Sequence, residues 1–177
     1  MNPIATRLRL SDLFEITHAM RVAILTISDT VSKGEREDAS GPAVVAACRG
    51  LGWEVTSALR TSDDSANIRQ QLRELSDSGR LDLILTTGGT GIGPRDNTPE
   101  ATQAVADRLI PGIAEEMRRK GMESAPTAVL SRGVAAIRAK TLIVNLPGSP
   151  KGATESLAAV AHLLPHAVAV LRGARHD

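Results

Sequence analysis

The chain has 177 residues, 21 Lys and Arg against 20 Asp and Glu for a formal net charge of +1, and a composition that is 42% hydrophobic but only 1% aromatic. About 150 residues is a common size for a single domain with a substantial core, so neither a disulfide nor a structural metal is needed for stability, and the lone Cys48 fits a reducing cytoplasm. Near-neutral charge argues against a broad footprint on nucleic acid, one Phe, one Trp and no Tyr build no base-stacking platform, and no apolar run approaches the roughly 18 residues of a membrane span. The expected ligands are small molecules, with no nucleic-acid or membrane partner.

Residues 1–20 carry Arg7, Arg9, Asp12, Glu15 and His18 and lack the apolar centre of a secretory signal. They are expected to form an appendage before one domain spanning residues 21–177. Val22, Ala23, Ile24, Leu25, Thr26 and Ile27 read as a short buried strand that runs into Ser28, Asp29 and Thr30. A charged loop over residues 32–40 follows, then a helix opened by Gly41-Pro42 and closed at Gly52, and a weaker strand begins at Trp53.

Ser62-Asp63-Asp64-Ser65 offers capping chemistry, and Ile68, Leu72 and Leu75 at i, i+4, i+7 mark one face of an amphipathic helix. The clearest strand, residues 81–87, runs straight into Gly88-Gly89-Thr90-Gly91-Ile92-Gly93-Pro94-Arg95-Asp96. Thr98 followed by Pro99 predicts a helix to about Leu109, with Thr98 as its cap, and Pro111 starts another through Met117. Val129-Leu130, then residues 134–137 and 142–144, read as extended segments that accommodate a β-hairpin. After Leu146-Pro147-Gly148-Ser149-Pro150 an Ala- and Leu-rich helix is expected to run to about Leu171. Strands alternating with helices predict a single three-layer α/β domain, with a mostly parallel sheet and helices on both faces.

In such a sheet the ligand crevice lies beyond the carboxyl ends of the strands, where residues 28–30, 88–96 and 147–150 collect. Four glycines within residues 88–93, between a strand and a helix, let the backbone approach a ligand and aim N–H groups at an anion. The loop lacks the Gly-Lys-Ser/Thr ending of a P-loop, and Pro94 follows where a dinucleotide fingerprint needs its third glycine. Asp96 beside a phosphate site would repel the ligand without a cation, which points to a Mg-nucleotide; otherwise it caps the following helix. Asp63, taken by itself, reads as a cap. Arg118-Arg119-Lys120 after Glu115-Glu116 reads as a solvated helix end. His162 and His166 share a helix spacing, but Pro165 interrupts the turn and no third metal ligand is evident.

Thr86-Thr87-Gly88-Gly89-Thr90-Gly91, Pro94-Arg95-Asp96, Thr98-Pro99-Glu100, Leu130-Ser131-Arg132 and Asn145-Leu146-Pro147-Gly148-Ser149-Pro150, in this order, resemble the molybdenum-cofactor biosynthesis family. The resemblance covers nearly everything from Arg21 to Gly173. It implies a cytoplasmic trimer that uses ATP and Mg2+ to adenylylate molybdopterin, then hands the product to a molybdate-inserting enzyme. By position it assigns Asp63 and Asp96 to catalysis and Mg2+ binding. Substrate or nucleotide binding falls to Ser28, Asp29, Gly88, Gly89, Thr90, Gly91, Arg95, Ser131, Pro147, Gly148, Ser149 and Pro150. A noncatalytic member that binds pterin or nucleotide as a carrier or scaffold is the alternative.

Overall fold

A computed structural model describes residues 19–174 of the chain. The appendage expected over residues 1–20 lies outside this range except for Ala19 and Met20, and the Met20 side chain already packs into the core. Among the described residues six strands form one sheet: β1 (Arg21–Ile27), β2 (Glu54–Thr61), β3 (Leu83–Thr87), β4 (Arg108–Leu109), β5 (Ala135–Arg138) and β6 (Thr141–Leu146). Their order is β2-β1-β3-β6-β5-β4, with β2, β1, β3 and β6 mutually parallel. β5 and β6 make the expected antiparallel hairpin, and its turn places Ala139 at a φ of 52°.

The apolar runs explain the three layers. Side chains alternate along a strand, so Val22 and Ile24 of β1 enter one core while Ala23, Leu25 and Ile27 enter the other. The first core is closed by α2 (Ser40–Gly50), α5 (Pro111–Ser124), α6 (Pro150–Val160) and α7 (Leu164–Leu171), through residues such as Val44, Met117, Leu157 and Leu164. The second is closed by α3 (Ser65–Asp77) and α4 (Thr98–Val105), through Ile68, Leu72, Ala101 and Val105. A short α1 (Asp29–Ser32) completes the helices. The interior strands β1 and β3 send apolar side chains into both cores because both faces are covered.

Several local expectations are corrected. Val129 and Leu130 belong to a 3-10 turn (Pro126–Leu130) packed against α5, which Pro126 favours by fixing φ and lacking an N–H for a strand ladder. The last helix is two, α6 and α7, bent by 62° at the break, with Pro165 in the first turn of α7 where its missing N–H costs nothing. Together the pair has the length and composition of a membrane span, yet no single helix among the described residues is long and apolar enough to cross one. α4 stops at Val105, four residues short of Leu109, and α5 continues past Met117 to Ser124.

Candidate active site

The chain reverses direction across the sheet between β1 and β3: β2 pairs on one side of β1, and β3 on the other. Loops leaving the ends of β1 and β3 therefore diverge and leave a crevice between them, the place where open α/β sheets bind ligands. A cleft of about 620 Å3 occupies it, within the range of small-molecule sites. Ser28, Asp63, Gly88, Gly89, Asp96, Gly148, Ser149 and Pro150 line it. A second cleft of about 450 Å3 adjoins through the shared Gly148 and Ser149, and Thr90, Gly91, Ser131 and Pro147 line that one.

The sequence-predicted site thus divides between two neighbouring clefts. Asp29 and Arg95 stand beside them and face one another, the Arg95 guanidinium pairing with the Asp29 carboxylate. This pairing and the N–H of Asp63 hold the Asp29 carboxyl below the usual carboxylate range, the N–H contributing most. Ser28 accepts from the Val31 N–H at 3.4 Å and so starts α1.

Neither Asp63 nor Asp96 caps a helix. Asp64, not Asp63, caps α3, its Oδ1 accepting from the N–H groups of Ala66 at 2.9 Å and Asn67 at 3.0 Å. No side chain caps α4: Thr98 instead donates its hydroxyl to the Gly88 carbonyl at 2.8 Å, tying the helix start to the glycine loop. Asp63 accepts the Asp29 N–H at Oδ2, 2.8 Å, and Asp96 accepts the Gly93 N–H at Oδ2, 2.8 Å. In each carboxylate no described residue hydrogen-bonds to Oδ1. Those two oxygens lie 3.6 Å and 3.9 Å from where Cβ atoms would stand on Gly89 and Gly91. Those are ordinary contact distances, whereas a Cβ would crowd the Thr98 hydroxyl at Gly89 and Oδ2 of Asp96, at 2.8 Å, at Gly91.

The loop is shaped by what surrounds it. Gly88 has a φ of +107°, and a Cβ there would fall 2.2 Å from the Ile27 carbonyl oxygen, so only glycine lets β3 end this close to β1. On the other side Thr87 donates to the Pro147 carbonyl at 2.7 Å, and Gly148 approaches Gly88 so closely that its Cβ would sit 3.2 Å from the Gly88 Cα. Ser149 caps α6 through the Gly152 N–H at 3.1 Å, which puts the positive end of that helix at the junction of the two clefts.

Hard oxygen donors in a cleft suit Mg2+, which is held by one or two carboxylates together with substrate oxygens. Among the described residues no group of three or more His, Cys, Asp or Glu is placed to hold a metal. Asp63 and Asp96 line the same cleft, and no described residue hydrogen-bonds to Oδ1 of either, so their chemistry is compatible with Mg2+.

Three residues to which the sequence assigns no site role stand at the site. Asp38, in the charged loop before α2, lines the first cleft, is 9% exposed, and accepts from Thr26 Oγ1 at 2.8 Å and the Gly41 N–H at 2.9 Å. The Asp-x-x-Gly spacing before a helix was the available signal. Arg118 is not part of a solvated basic cluster: its Nη1 donates to the carbonyls of Ser131 at 3.2 Å and Gly133 at 3.1 Å. Arg132 donates Nε to the Gly91 carbonyl at 2.7 Å and Nη2 to the Asp96 carbonyl at 2.6 Å, and pairs with Glu100.

A doubly covered α/β sheet with a glycine-lined crevice at its switch point and two carboxylates in its lining defines the class, that of open α/β domains that bind small molecules there. Residues 23–166 match the family described as "Probable molybdopterin binding domain", and the chain belongs to it. It is 44% identical over 152 residues to the molybdopterin adenylyltransferase of Escherichia coli K12, covering 81% of this chain and 74% of that one. With the Helicobacter pylori molybdopterin adenylyltransferase it shares 40% over 159 residues, 87% and 89% of the two chains. The crystal structure of the Thermus thermophilus molybdopterin biosynthesis enzyme MoaB superposes with a TM-score of 0.82 at 49% identity, over 89% of this chain and 99% of that one.

Proposed function

We propose that this chain is a molybdopterin adenylyltransferase of molybdenum-cofactor biosynthesis. The observation that carries the reading is that Asp63 and Asp96, from loops leaving different strands, line one cleft with Gly88 and Gly89 on its wall. The 40–44% identity to adenylyltransferases over most of the chain supports the same reading. In the reaction the terminal phosphate oxygen of molybdopterin attacks the α-phosphorus of ATP, the bond from that phosphorus to the bridging oxygen breaks, and pyrophosphate leaves with adenylyl-molybdopterin as the other product.

Phosphoryl-type transfers need positioning and charge stabilisation more than covalent work by the protein. Gly89 to Gly91 offer backbone N–H groups, Gly88 allows close approach while its own N–H donates to the Leu146 carbonyl, the start of α6 offers partial positive charge at the Ser149 junction, and Arg36 lines the first cleft. Asp63 and Asp96 would hold Mg2+, which when bound offsets charge on the phosphate oxygens and makes the α-phosphorus more electrophilic. The Asp29–Arg95 pair holds the Asp63 loop in place from outside. No side-chain nucleophile is required, and Cys48 is unsuited to be one, since burial pushes its thiol up to about 11.

The two adjoining clefts suit two substrates, ATP and molybdopterin, meeting where Gly148 and Ser149 are shared. The same reading carries a homotrimer working in the cytoplasm and passing its product to the molybdate-inserting enzyme; its support is the family resemblance. Incubating the purified chain with molybdopterin, ATP and Mg2+ tests the proposal. Adenylyl-molybdopterin and pyrophosphate should form, and Asp96→Ala should lower the rate by about 100-fold or more. Binding of both ligands without turnover would favour the carrier reading instead.

A further inference from the structure

Arg132 lies on the segment between the 3-10 turn and β5, far in sequence from the glycine loop, yet it grips that loop at three points and the helix that follows it at a fourth. Its own N–H donates to the Thr90 carbonyl at 2.8 Å. Its guanidinium forks across the loop, with Nε on the Gly91 carbonyl at 2.7 Å and Nη2 on the Asp96 carbonyl at 2.6 Å. The remaining nitrogen, Nη1, pairs with Glu100 in the first turn of α4. Arg118 of α5 fastens the segment from behind through the carbonyls of Ser131 and Gly133, which flank Arg132.

We infer that Arg132 is a positioning residue for adenylyl transfer, acting through Asp96 and the loop amides without touching substrate. This inference rests on the function proposed above. A peptide unit is planar and trans, so a carbonyl turned toward the guanidinium turns the next N–H away from it. Holding the Thr90, Gly91 and Asp96 carbonyls therefore fixes the N–H groups of Gly91, Ile92 and Asn97 on the opposite side. It also fixes the main chain of Asp96, whose carboxylate the Gly93 N–H orients locally at 2.8 Å. The loop has four glycines in six residues and its Ile92 is 71% exposed, leaving buried Thr90 as its one packed side chain, so an external brace decides which conformation it holds. Only a planar fork reaches two carbonyls and a carboxylate at once, so lysine cannot replace arginine here.

The test uses the full chain with Arg132→Lys, Arg132→Gln and Arg132→Ala. Hydrogen exchange of residues 88–97, read without substrates, should speed up by about tenfold or more in all three, while the core strands keep their protection. In turnover, kcat should fall by about 100-fold with the KM for ATP changed much less, and added guanidinium should restore part of the loss in Arg132→Ala. Unchanged loop exchange, or an unchanged kcat in Arg132→Lys, would overturn the inference. So would a uniform loss of protection across the sheet, which would make Arg132 a general stabiliser. Failure of the wild-type chain to make adenylyl-molybdopterin would instead sink the proposed function, and the exchange result would still report whether Arg132 braces the loop.

Discussion

Asp29 and Asp63 exchange hydrogen bonds: the N–H of Asp29 donates to Oδ2 of Asp63 at 2.8 Å, and the N–H of Asp63 donates to Oδ1 of Asp29 at 3.0 Å. Each carboxylate thereby holds the other's backbone, and the exits of β1 and β2 become one unit. Asp63 thus owes its place in the cleft to a residue that does not line it.

Asp29→Ala removes both the acceptor for the Asp63 N–H and the partner of Arg95. Turnover should fall by about 10- to 100-fold from misplacement of Asp63, whereas Asp29→Asn, which keeps an acceptor oxygen, should fall less. The pH dependence has a definite sign. Since the folded-state pKa of Asp29 is lowered, its clamp is complete above the unfolded value near 4 and is lost only as pH falls through the lower folded value. Hydrogen exchange at residues 61–64 should therefore be flat from pH 7 to about pH 5 after correction for intrinsic rates; a loosening that begins near pH 6 would contradict this.

Two glycines of the loop should respond differently to the same added methyl group. At Gly88 the Cβ meets backbone, the Ile27 carbonyl at 2.2 Å, and the φ of +107° disfavours any side chain. Gly88→Ala should cost about 1–3 kcal/mol, seen as a lower melting temperature. At Gly91 the Cβ meets only the Asp96 carboxylate, at 2.8 Å, which can rotate away. Gly91→Ala should leave the melting temperature nearly unchanged and lower activity by displacing Asp96. Equal melting temperatures for the two variants would contradict the geometry.

Thr26 and Asp38 form a buried pair at the edge of the first cleft, and Asp38 also holds the start of α2 through Gly41. Thr26→Val keeps the shape but removes the hydroxyl donor from a buried carboxylate. It should destabilise the fold by about 1–3 kcal/mol in urea titration. Exchange of residues 33–40 should rise more than that of β3, since Asp38 anchors that loop.

Local patterns made much of this visible in advance. The runs at residues 22–27 and 83–87 are short, apolar and partly β-branched, and the glycine cluster sits directly behind one of them, so the central strands and the crevice follow from sequence alone. What stayed hidden depends on partners far along the chain. Arg132 reaches Gly91 and Asp96 across 41 and 36 residues, and nothing in Ser131-Arg132-Gly133 announces those acceptors. The same holds for Arg118, which reads as one of three surface cations until the 131–133 segment is folded against it. Asp63 and Asp64 illustrate a finer ambiguity, since either could cap α3 by spacing, and only the path of the β2 exit selects Asp64.

At the opposite end of the sheet, Asp82 gathers both ends of the described domain. It accepts from the Arg21 N–H at 2.8 Å and from the Arg21 guanidinium at 3.0 Å and 3.3 Å, and it also pairs with Arg172 just past α7. Burial alone would raise its pKa, but the bonds from Arg21 and the charge of Arg172 outweigh burial and lower it. Its stabilisation is accordingly present above the unfolded value near 4 and lost as pH falls through the folded one. Asp82→Asn leaves two guanidinium groups without a carboxylate, and at pH 7 it should cost about 1–3 kcal/mol, toward the lower figure because the Arg21 and Arg172 side chains are 36% and 41% exposed. Urea titrations of the two proteins should therefore converge as pH drops below 4. A gap that stays constant from pH 7 to pH 2 would assign the effect to packing instead of charge.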